Sequence, residues 1–298
     1  MGGRGQALGR LLGLVPALAI IGVFMMLPIG IIAVYSLLEA DPYGGVEPNF
    51  SAEAYLQFFF ERDLDDSLVF NPAYLVIFGR SFLLAAGATV ICLLIAFPVA
   101  YYMATQSEAR RNLLVFLVTI PFWTNLLIRT FCWILILRDH GLVNNTLLAL
   151  GLIDEPLTLL YTNGAILLGL VYTYIPFMVL PIYATLEKLD LRLVEAAHDL
   201  YASRRQVLRR VILPLALPGI VAGAILVFVP SLGAFIAPDL LGGGKKLMIG
   251  SLIQLQFASS RNWPFGSAAA LFLMAAVLAA MTYYALGPAR RAGGGLAK

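Results

Sequence analysis

The stretch Glu195–Pro218, EAAHDLYASRRQVLRRVILPLALP, decides how the rest of the chain is interpreted, because it is a charged insert between two long apolar segments. It carries Arg204, Arg205, Arg209 and Arg210, in a chain of which only 12% of the residues are charged. Its first part contains good helix formers and neither glycine nor proline. A charged, helix-forming insert of this kind offers a binding surface to a partner protein on the side of the membrane where the insert lies.

The composition places the chain in a membrane. Of its 298 residues, 60% are hydrophobic, and few soluble domains could bury that much apolar surface. Crossing about 30 Å of hydrocarbon takes roughly 20 helical residues, and backbone groups in lipid must be satisfied within each segment. The sequence therefore predicts an all-α polytopic membrane protein with six transmembrane helices: Leu11–Leu38, Ala73–Ala104, Leu113–Leu137, Gly164–Thr185, Leu215–Ile236 and Gly266–Leu286.

The distribution of basic residues predicts the orientation. Of the 20 lysines and arginines, 13 fall in the even-numbered loops and the termini, and 5 fall in the opposite loops. Because cytoplasmic loops carry the excess of Lys and Arg, we expect both termini and the charged insert to be cytoplasmic. The remaining two, Arg80 and Arg129, lie inside predicted spans.

Nothing in the sequence predicts a catalytic or metal site. Cys92 and Cys132 both fall in apolar segments, and no cysteine–histidine spacing suits a metal. Every long polar piece is shorter than about 40 residues, which leaves no room for a large catalytic domain. The sequence therefore predicts a chain without cofactors of its own.

The insert is predicted to fold as a helix–turn–helix at the membrane face. Glu187–Tyr201 forms the first helix, Ser203 caps the second, and Arg204–Leu213 runs on into the fifth span. The first helix has an apolar strip at helical spacing, made of Leu189, Leu193, Ala196, Ala197 and Leu200. Its small alanines would allow close approach by another surface.

The insert resembles the EAA loop of bacterial ABC-importer permeases. Glu195-Ala196-Ala197 and Leu213-Pro214 match the pattern of that family, with Val211 and Ile212 as the nearby aliphatic residues. Tyr201 occupies the position that the family gives to glycine, whose freedom at positive φ suits a turn between helices. Tyrosine would be strained in that conformation, so we expect a turn of different shape.

Further motifs over roughly residues 70–290 resemble the spermidine/putrescine permeases of this family. They are Pro121-Phe122-Trp123-Thr124-Asn125 with Ile128-Arg129, Gly169–Tyr172 with Pro176–Pro181, Asp239–Gly243, and Asn262–Gly266. The resemblance implies a type I permease core with a cytoplasmic coupling helix and an extra N-terminal helix. It also implies a bacterial inner membrane protein that works with a second homologous permease, an ATPase dimer that binds ATP and Mg, and an external polyamine-binding protein.

The expected organisation follows from these assignments. Residues 1–65 hold the N-terminal helix and an acidic outer loop, residues 66–290 hold the five-helix core with the coupling insert 187–213, and residues 291–298 form a cytoplasmic tail. The residues expected to couple to the ATPase are Glu195, Ala196, Ala197, Asp199, Leu200, Tyr201 and Pro214.

The expected substrate path combines one acid, one base and several aromatic rings: Trp123, Asn125, Arg129, Tyr172, Tyr174, Phe177 and Asp239. Aromatic faces attract ammonium groups by about 0.5–2 kcal/mol each. Pro121 and Pro176 would bend their spans and expose carbonyl groups to an amine. For any single ring, helix packing or the lipid interface is an alternative, and Arg129 could simply pair with Asp239.

Three classes of function are to be weighed against the sequence. An ABC-importer permease for polyamines explains the insert, while the two intramembrane arginines keep an anionic cargo open, and a metal complex is the other alternative cargo for such a permease. A stand-alone channel or secondary transporter would not need a long docking insert. A membrane-embedded enzyme would need a nucleophile–base pair or a metal cluster near the interface, and the sequence offers neither.

Overall fold

The computed structural model describes residues 3–62, 65, 67–190 and 192–286, and helices dominate it. The helices are α1 Gly3–Tyr35, α2 Glu53–Leu56, α3 Ala73–Ala104, α4 Glu108–Thr119, α5 Leu126–Leu137, α6 Leu142–Ala149, α7 Asn163–Leu186, α8 Arg192–Asp199, α9 Arg204–Val207, α10 Leu213–Leu232, α11 Ile236–Gly242, α12 Ile249–Ala258 and α13 Trp263–Leu286. A 3₁₀ turn spans Ile120–Trp123, and a π-helix spans Leu208–Ile212.

Five helices among the described residues are long and apolar enough to cross a membrane, and a bent helix pair brings the number to six if it counts as one span. This confirms the predicted all-α polytopic fold. The predicted tail at residues 291–298 lies outside the described residues.

The predicted span over Leu113–Leu137 is broken at its middle, where Pro121 is expected to bend it. The segments Glu108–Trp123 and Leu126–Ala149 meet at an angle of 89°. Pro121 has no N–H to continue the helix, and Thr124 adopts extended backbone. Asn125 then starts α5 by accepting a hydrogen bond from the Leu127 N–H at 2.8 Å. We call residues 120–125 the elbow.

The acidic loop after α1 contains short strands that no pattern in the sequence predicts. Strand β1 (Leu38–Ala40) pairs antiparallel with β2 (Val46–Phe50), and β3 (Phe60–Arg62) pairs antiparallel with β4 (Leu68–Phe70). Two-stranded ribbons of three to five residues satisfy backbone groups where no helix continues.

The chain forms two compact units, one of residues 1–75 and 253–298 and the other of residues 76–252. In the first unit, Phe265 is fully buried among rings, with centroid distances of 5.0 Å to Phe58 and 4.7 Å to Tyr74. Tyr35 of α1 stacks on Trp263 at the start of α13, with centroids 6.0 Å apart. The domain boundaries expected at 65/66 and 290/291 stay a prediction.

The second unit is organised around the contact between α7 and α10. Gly219 and Gly223 of α10 face α7, and a Cβ at Gly223 would lie 2.7 Å from the Met178 sulfur. The pair therefore packs helices, as small residues four apart do in membranes. Buried residues from α3, α7, α10 and the insert, including Cys92, Met178, Ile182, Val207 and Ile212, form one apolar cluster.

Tyr161, in the loop before α7, and Gly243, directly after α11, connect two loops of this unit. Both adopt positive φ, +62° and +63°, and the Tyr161 N–H donates to the Leu241 carbonyl at 2.9 Å. The Tyr161 ring lies directly against the position that a Cβ of Gly243 would occupy. Only glycine fits there, and this contact fixes the end of α11 against the start of α7.

Candidate functional site

The coupling insert, residues 187–213, folds as a helix–turn–helix, but its first helix is shorter than predicted. Helix α7 ends at Leu186, and α8 begins at Arg192 rather than at Glu187. The Asp190 carboxylate interrupts the run by accepting a hydrogen bond from the Arg192 N–H at 3.0 Å. Asp side chains favour such turns over helix interiors, which explains the difference.

The apolar strip of α8 divides between two surfaces. Ala197 packs against the buried cluster together with Leu189 and Val194. Leu193 and Leu200 point away from it, and Leu200 is 82% exposed. Glu195, Ala196 and Asp199 are exposed too. The outer face of α8 is thus an acidic and apolar surface that nothing in the described chain covers.

Tyr201 forms the turn between the two helices in the left-handed conformation, with φ +60°. Its N–H donates to the His198 carbonyl at 2.9 Å, and the Ala202 N–H donates to the Ala197 carbonyl at 3.0 Å. These bonds form a Schellman motif, in which the residue after the helix is usually glycine. The expectation of a differently shaped turn is wrong: the chain keeps the glycine geometry with a tyrosine that is 98% exposed.

Ser203 caps the second helix, as predicted. Its side chain accepts from the Gln206 N–H at 3.4 Å, and the Gln206 side chain accepts from the Ser203 N–H at 2.7 Å. This reciprocal pair is a capping box.

The second helix runs into the membrane without a break, again as predicted. Helix α9 continues through the π-helix Leu208–Ile212 into α10. Pro214 enters at the second position of α10, where its ring would crowd the carbonyl one turn back. A wider π turn relieves such crowding. Arg204, Arg205, Arg209 and Arg210 are all exposed along this segment.

An ion pair that the sequence did not suggest lies at the base of the insert. The Arg111 Nη1 of α4 is 3.4 Å from the Glu187 Oε1, and Glu187 directly follows Leu186, the last residue of α7. The Glu187 N–H donates to the Tyr183 carbonyl, one turn earlier in α7, at 2.8 Å. The sequence signal for this pair is weak: Arg111 and Glu187 carry opposite charges, and each follows a span that ends in a predicted inner loop.

The elbow and α7 together present two groups of aromatic rings. Phe122 contacts Phe177 edge-on, with centroids 4.9 Å apart, and Phe177 lies 6.1 Å from Tyr174. Trp133 contacts Tyr172 edge-on at 5.5 Å. The predicted path residues therefore meet in part, although Trp123 is 83% exposed and Asn125 serves as the cap of α5.

Arg129 makes no ion pair within the described part of the chain, so the pairing with Asp239 considered from sequence is not formed. Its guanidinium carbon lies 5.8 Å from the centre of the Tyr172 ring. Its Nε and Nη1 are buried without hydrogen-bond partners. An unpaired cation of this kind is costly, which makes Arg129 a candidate for contact with cargo or with another subunit.

Asp239 lies in the first turn of α11, beyond the end of α10. Its carboxylate forms no ion pair with any described residue, and burial raises its pKa. Nearby, Tyr174 donates from its hydroxyl to the Pro230 carbonyl at 3.2 Å and lines a cavity of about 140 Å³ with Leu126, Thr173 and residues 233–237. An acid and several aromatic rings thus lie on neighbouring elements.

A second acidic region lies in the unit of residues 1–75 and 253–298, which contains the loop after α1. A cavity of about 760 Å³ there is lined by Glu39, Glu53, Glu61, Gln57 and Phe60, among others. Asn71 donates to the Glu61 carboxylate at 2.6 Å. The described residues contain no group of three or more His, Cys, Asp or Glu side chains placed to hold a metal.

Comparison with known proteins gives consistent matches. The family described as "binding-protein-dependent transport system inner membrane component" matches residues 96–291. The spermidine/putrescine transport system permease protein PotB of Haemophilus influenzae is 47% identical over 205 residues, 69% of this chain and 72% of the relative. PotB of Escherichia coli K12 is 40% identical over 250 residues, 84% of this chain and 87% of the relative.

A solved structure shares the fold. It is the crystal structure of a bacterial alginate ABC transporter in complex with its alginate pentasaccharide-bound periplasmic protein, with a TM-score of 0.67. The match covers 96% of this chain and 94% of that chain at 17% sequence identity, so it supports the fold assignment alone.

Proposed function

This chain belongs to the family of binding-protein-dependent transport system inner membrane components, and we propose that the importer in which it serves as a membrane permease subunit carries polyamines. The chain is a transport component of the inner membrane and not an enzyme. Its polyamine cargo is supported by the two relatives reported above, both of which are spermidine/putrescine permease proteins.

The observation that carries the coupling role is the uncovered outer face of α8 with its exposed tip. Leu200 and Tyr201 project from the turn, while Val194 and Ala197 fasten the same helix to the apolar cluster. A separate ATPase dimer, which binds ATP and Mg, docks on this face, with Glu195 and Asp199 beside the apolar tip. Nucleotide-driven closure of the dimer then moves the insert and switches the helices between two arrangements.

The cargo passes the aromatic groups on α5, α7 and the elbow. A polyamine carries several ammonium groups, and rings such as Phe177 and Tyr172 attract them by about 0.5–2 kcal/mol each. Asp239 supplies a negative charge at the end of the same unit. Few carboxylates line this region, so most of the selectivity rests with an external binding protein, and a second homologous permease completes the path.

An anionic cargo is the second candidate, and Arg129 is the observation that favours it. Its guanidinium has two buried nitrogens without partners among the described residues, which an anion could satisfy. The same nitrogens would disfavour a cation in contact with them. Competition between spermidine and an anion for uptake separates the two candidates.

The deciding experiment uses the chain co-expressed with its second permease and ATPase subunits and reconstituted in vesicles with the binding protein. We expect the subunits to co-purify and spermidine to stimulate ATP hydrolysis. Glu195→Arg should abolish ATPase association, whereas Glu108→Arg, a reversal at an exposed residue outside the insert, should leave it unchanged. Intact association and uptake in Glu195→Arg would refute the docking role.

A further inference from the structure

We propose that the Arg111–Glu187 ion pair positions the coupling insert by tying its base to α4, so that movement of the insert is transmitted to the elbow. This inference rests on the proposed coupling role of the insert. It concerns two residues that touch neither cargo nor nucleotide in that scheme. They act as positioning residues.

The pair joins two elements that are distant in sequence. Arg111 lies in the first turns of α4, and Glu187 is the first residue of the insert, with 3.4 Å between Nη1 and Oε1. Glu187 directly follows the last residue of α7, and its backbone N–H donates to the Tyr183 carbonyl at 2.8 Å. Its backbone is therefore held at the end of α7, from which the carboxylate reaches across to α4.

The apolar surroundings of the pair make the ion pair the contact that resists movement between α4 and the insert. Leu114 and Val115 of α4 pack against the same apolar cluster as Leu189 and Val194 of the insert. The Arg111 Nε is buried without a hydrogen-bond partner. The Glu187 carboxylate is the anion that the Arg111 guanidinium contacts in the described structure. Apolar contacts allow sliding, whereas an ion pair to a residue at the end of α7 resists it.

Helix α4 leads directly from this pair to the candidate path. It contains 12 residues and is therefore roughly 18 Å long. Its far end continues into the elbow, where Phe122 contacts Phe177 at 4.9 Å. A displacement of the insert that pulls on Arg111 would shift α4 along its length and open or close that contact.

The position of the pair argues against a purely structural role. The two side chains are 27% and 37% exposed, and pairs with that much solvent access contribute little to folding. The fold is held instead by the buried cluster, in which Met178, Ile182 and Ala216 are fully buried. Loss of the pair should therefore loosen the linkage more than it unfolds the protein.

The test compares Arg111→Glu, Glu187→Arg and the combined charge swap in the reconstituted complex. Arg110→Glu is the matched control, since it reverses a neighbouring exposed charge that makes no described ion pair. Each single reversal should lower spermidine uptake per ATP hydrolysed about five- to tenfold with ATPase subunits still bound, and the swap should return it to within about twofold of wild type. Unchanged coupling in the single variants, or a swap no better than they are, would overturn the proposal.

Two further measurements keep the proposal testable. If a reversal prevents assembly, Glu187→Gln replaces it, and unchanged coupling in that variant also counts against the ion pair. Amide exchange at residues 193–200, followed in nanodiscs without cargo, should be about tenfold faster in Glu187→Arg and restored in the swap. If the charge swap does not restore slow exchange, the positioning role of the Arg111–Glu187 pair is refuted. If spermidine does not stimulate ATP hydrolysis by the wild-type complex, only the polyamine function is refuted.

Discussion

Tyr201 shows how one residue departs from its expected pattern without changing the backbone. The Schellman bonds to His198 and Ala197 hold it at φ +60°, a conformation that usually falls to glycine. Its side chain is 98% exposed and gains no packing within the described chain. The strain is therefore uncompensated unless a partner contacts the ring.

Replacing Tyr201 by glycine should stabilise the turn. A side chain in the left-handed region costs about 1–2 kcal/mol, part of which the greater freedom of unfolded glycine offsets, so we expect a gain of roughly 0.5–1 kcal/mol. Amide exchange in α8 measures it. Tyr201→Ala keeps the Cβ and should show no gain, and equal behaviour of the two variants would contradict this account.

Asp239 gives a pH dependence with a defined sign. Burial raises its pKa above the ordinary value of 3.8, so the folded protein keeps the proton to a higher pH than the unfolded chain does. Below pH 3.8 both folded and unfolded states are protonated, and the penalty is absent. As the pH rises through and above this value the group must ionise in a half-buried site, and the stability of the wild type falls.

The expected result is a difference between wild type and Asp239→Asn that grows with pH and then levels off. Thermal unfolding in detergent micelles between pH 4 and about 7 measures it, because asparagine cannot titrate there. Added spermidine should reduce the difference if its ammonium groups lie near the carboxylate. A difference that is constant over this range would contradict the assignment.

At the scale of elements, the α7–α10 contact and the elbow decide which side chains meet. Gly219 allows α10 to approach α7 so closely that a Cβ there would lie 2.5 Å from the Pro181 carbonyl oxygen. At the elbow the segments Glu108–Trp123 and Leu126–Ala149 meet at 89°, and Phe122 of the elbow contacts Phe177 of α7. Prolines and glycines in these helices thus set the geometry of the candidate path.

Gly219→Ala should weaken the helix contact. The added methyl group meets backbone atoms of Pro181 and Ile182, which cannot rotate away, and overpacking of this kind costs about 1–3 kcal/mol. A lower midpoint of thermal unfolding in micelles is the expected result. Gly79→Ala in α3 is the control, since a Cβ there meets nothing within 4 Å. Equal midpoints for both variants would show that α10 can shift freely.

At the scale of the whole molecule, the insert is useful to an ATPase only if it lies in the cytoplasm. The orientation follows from 13 of 20 basic residues on one side, and it stays a prediction. We expect a cysteine at Ser107 to react with a membrane-impermeant maleimide only in opened cells, and one at Asp154 to react in intact cells, with Cys92 and Cys132 replaced by alanine. The reverse labelling pattern would place the insert outside.

The sequence by itself determined the membrane class, the helical spans and the insert, because lipid forces long apolar segments into helices and the insert carries motifs readable in order along the chain. The cap at Ser203 could be predicted as well, because its partner Gln206 is only three residues away in the sequence. Only the tertiary structure decided how sharply the chain turns after α4, the left-handed Tyr201 and the Arg111–Glu187 pair. Partners 76 residues apart meet through helix packing, which no local pattern specifies, and the strain at Tyr201 is imposed by the hydrogen bonds that close α8.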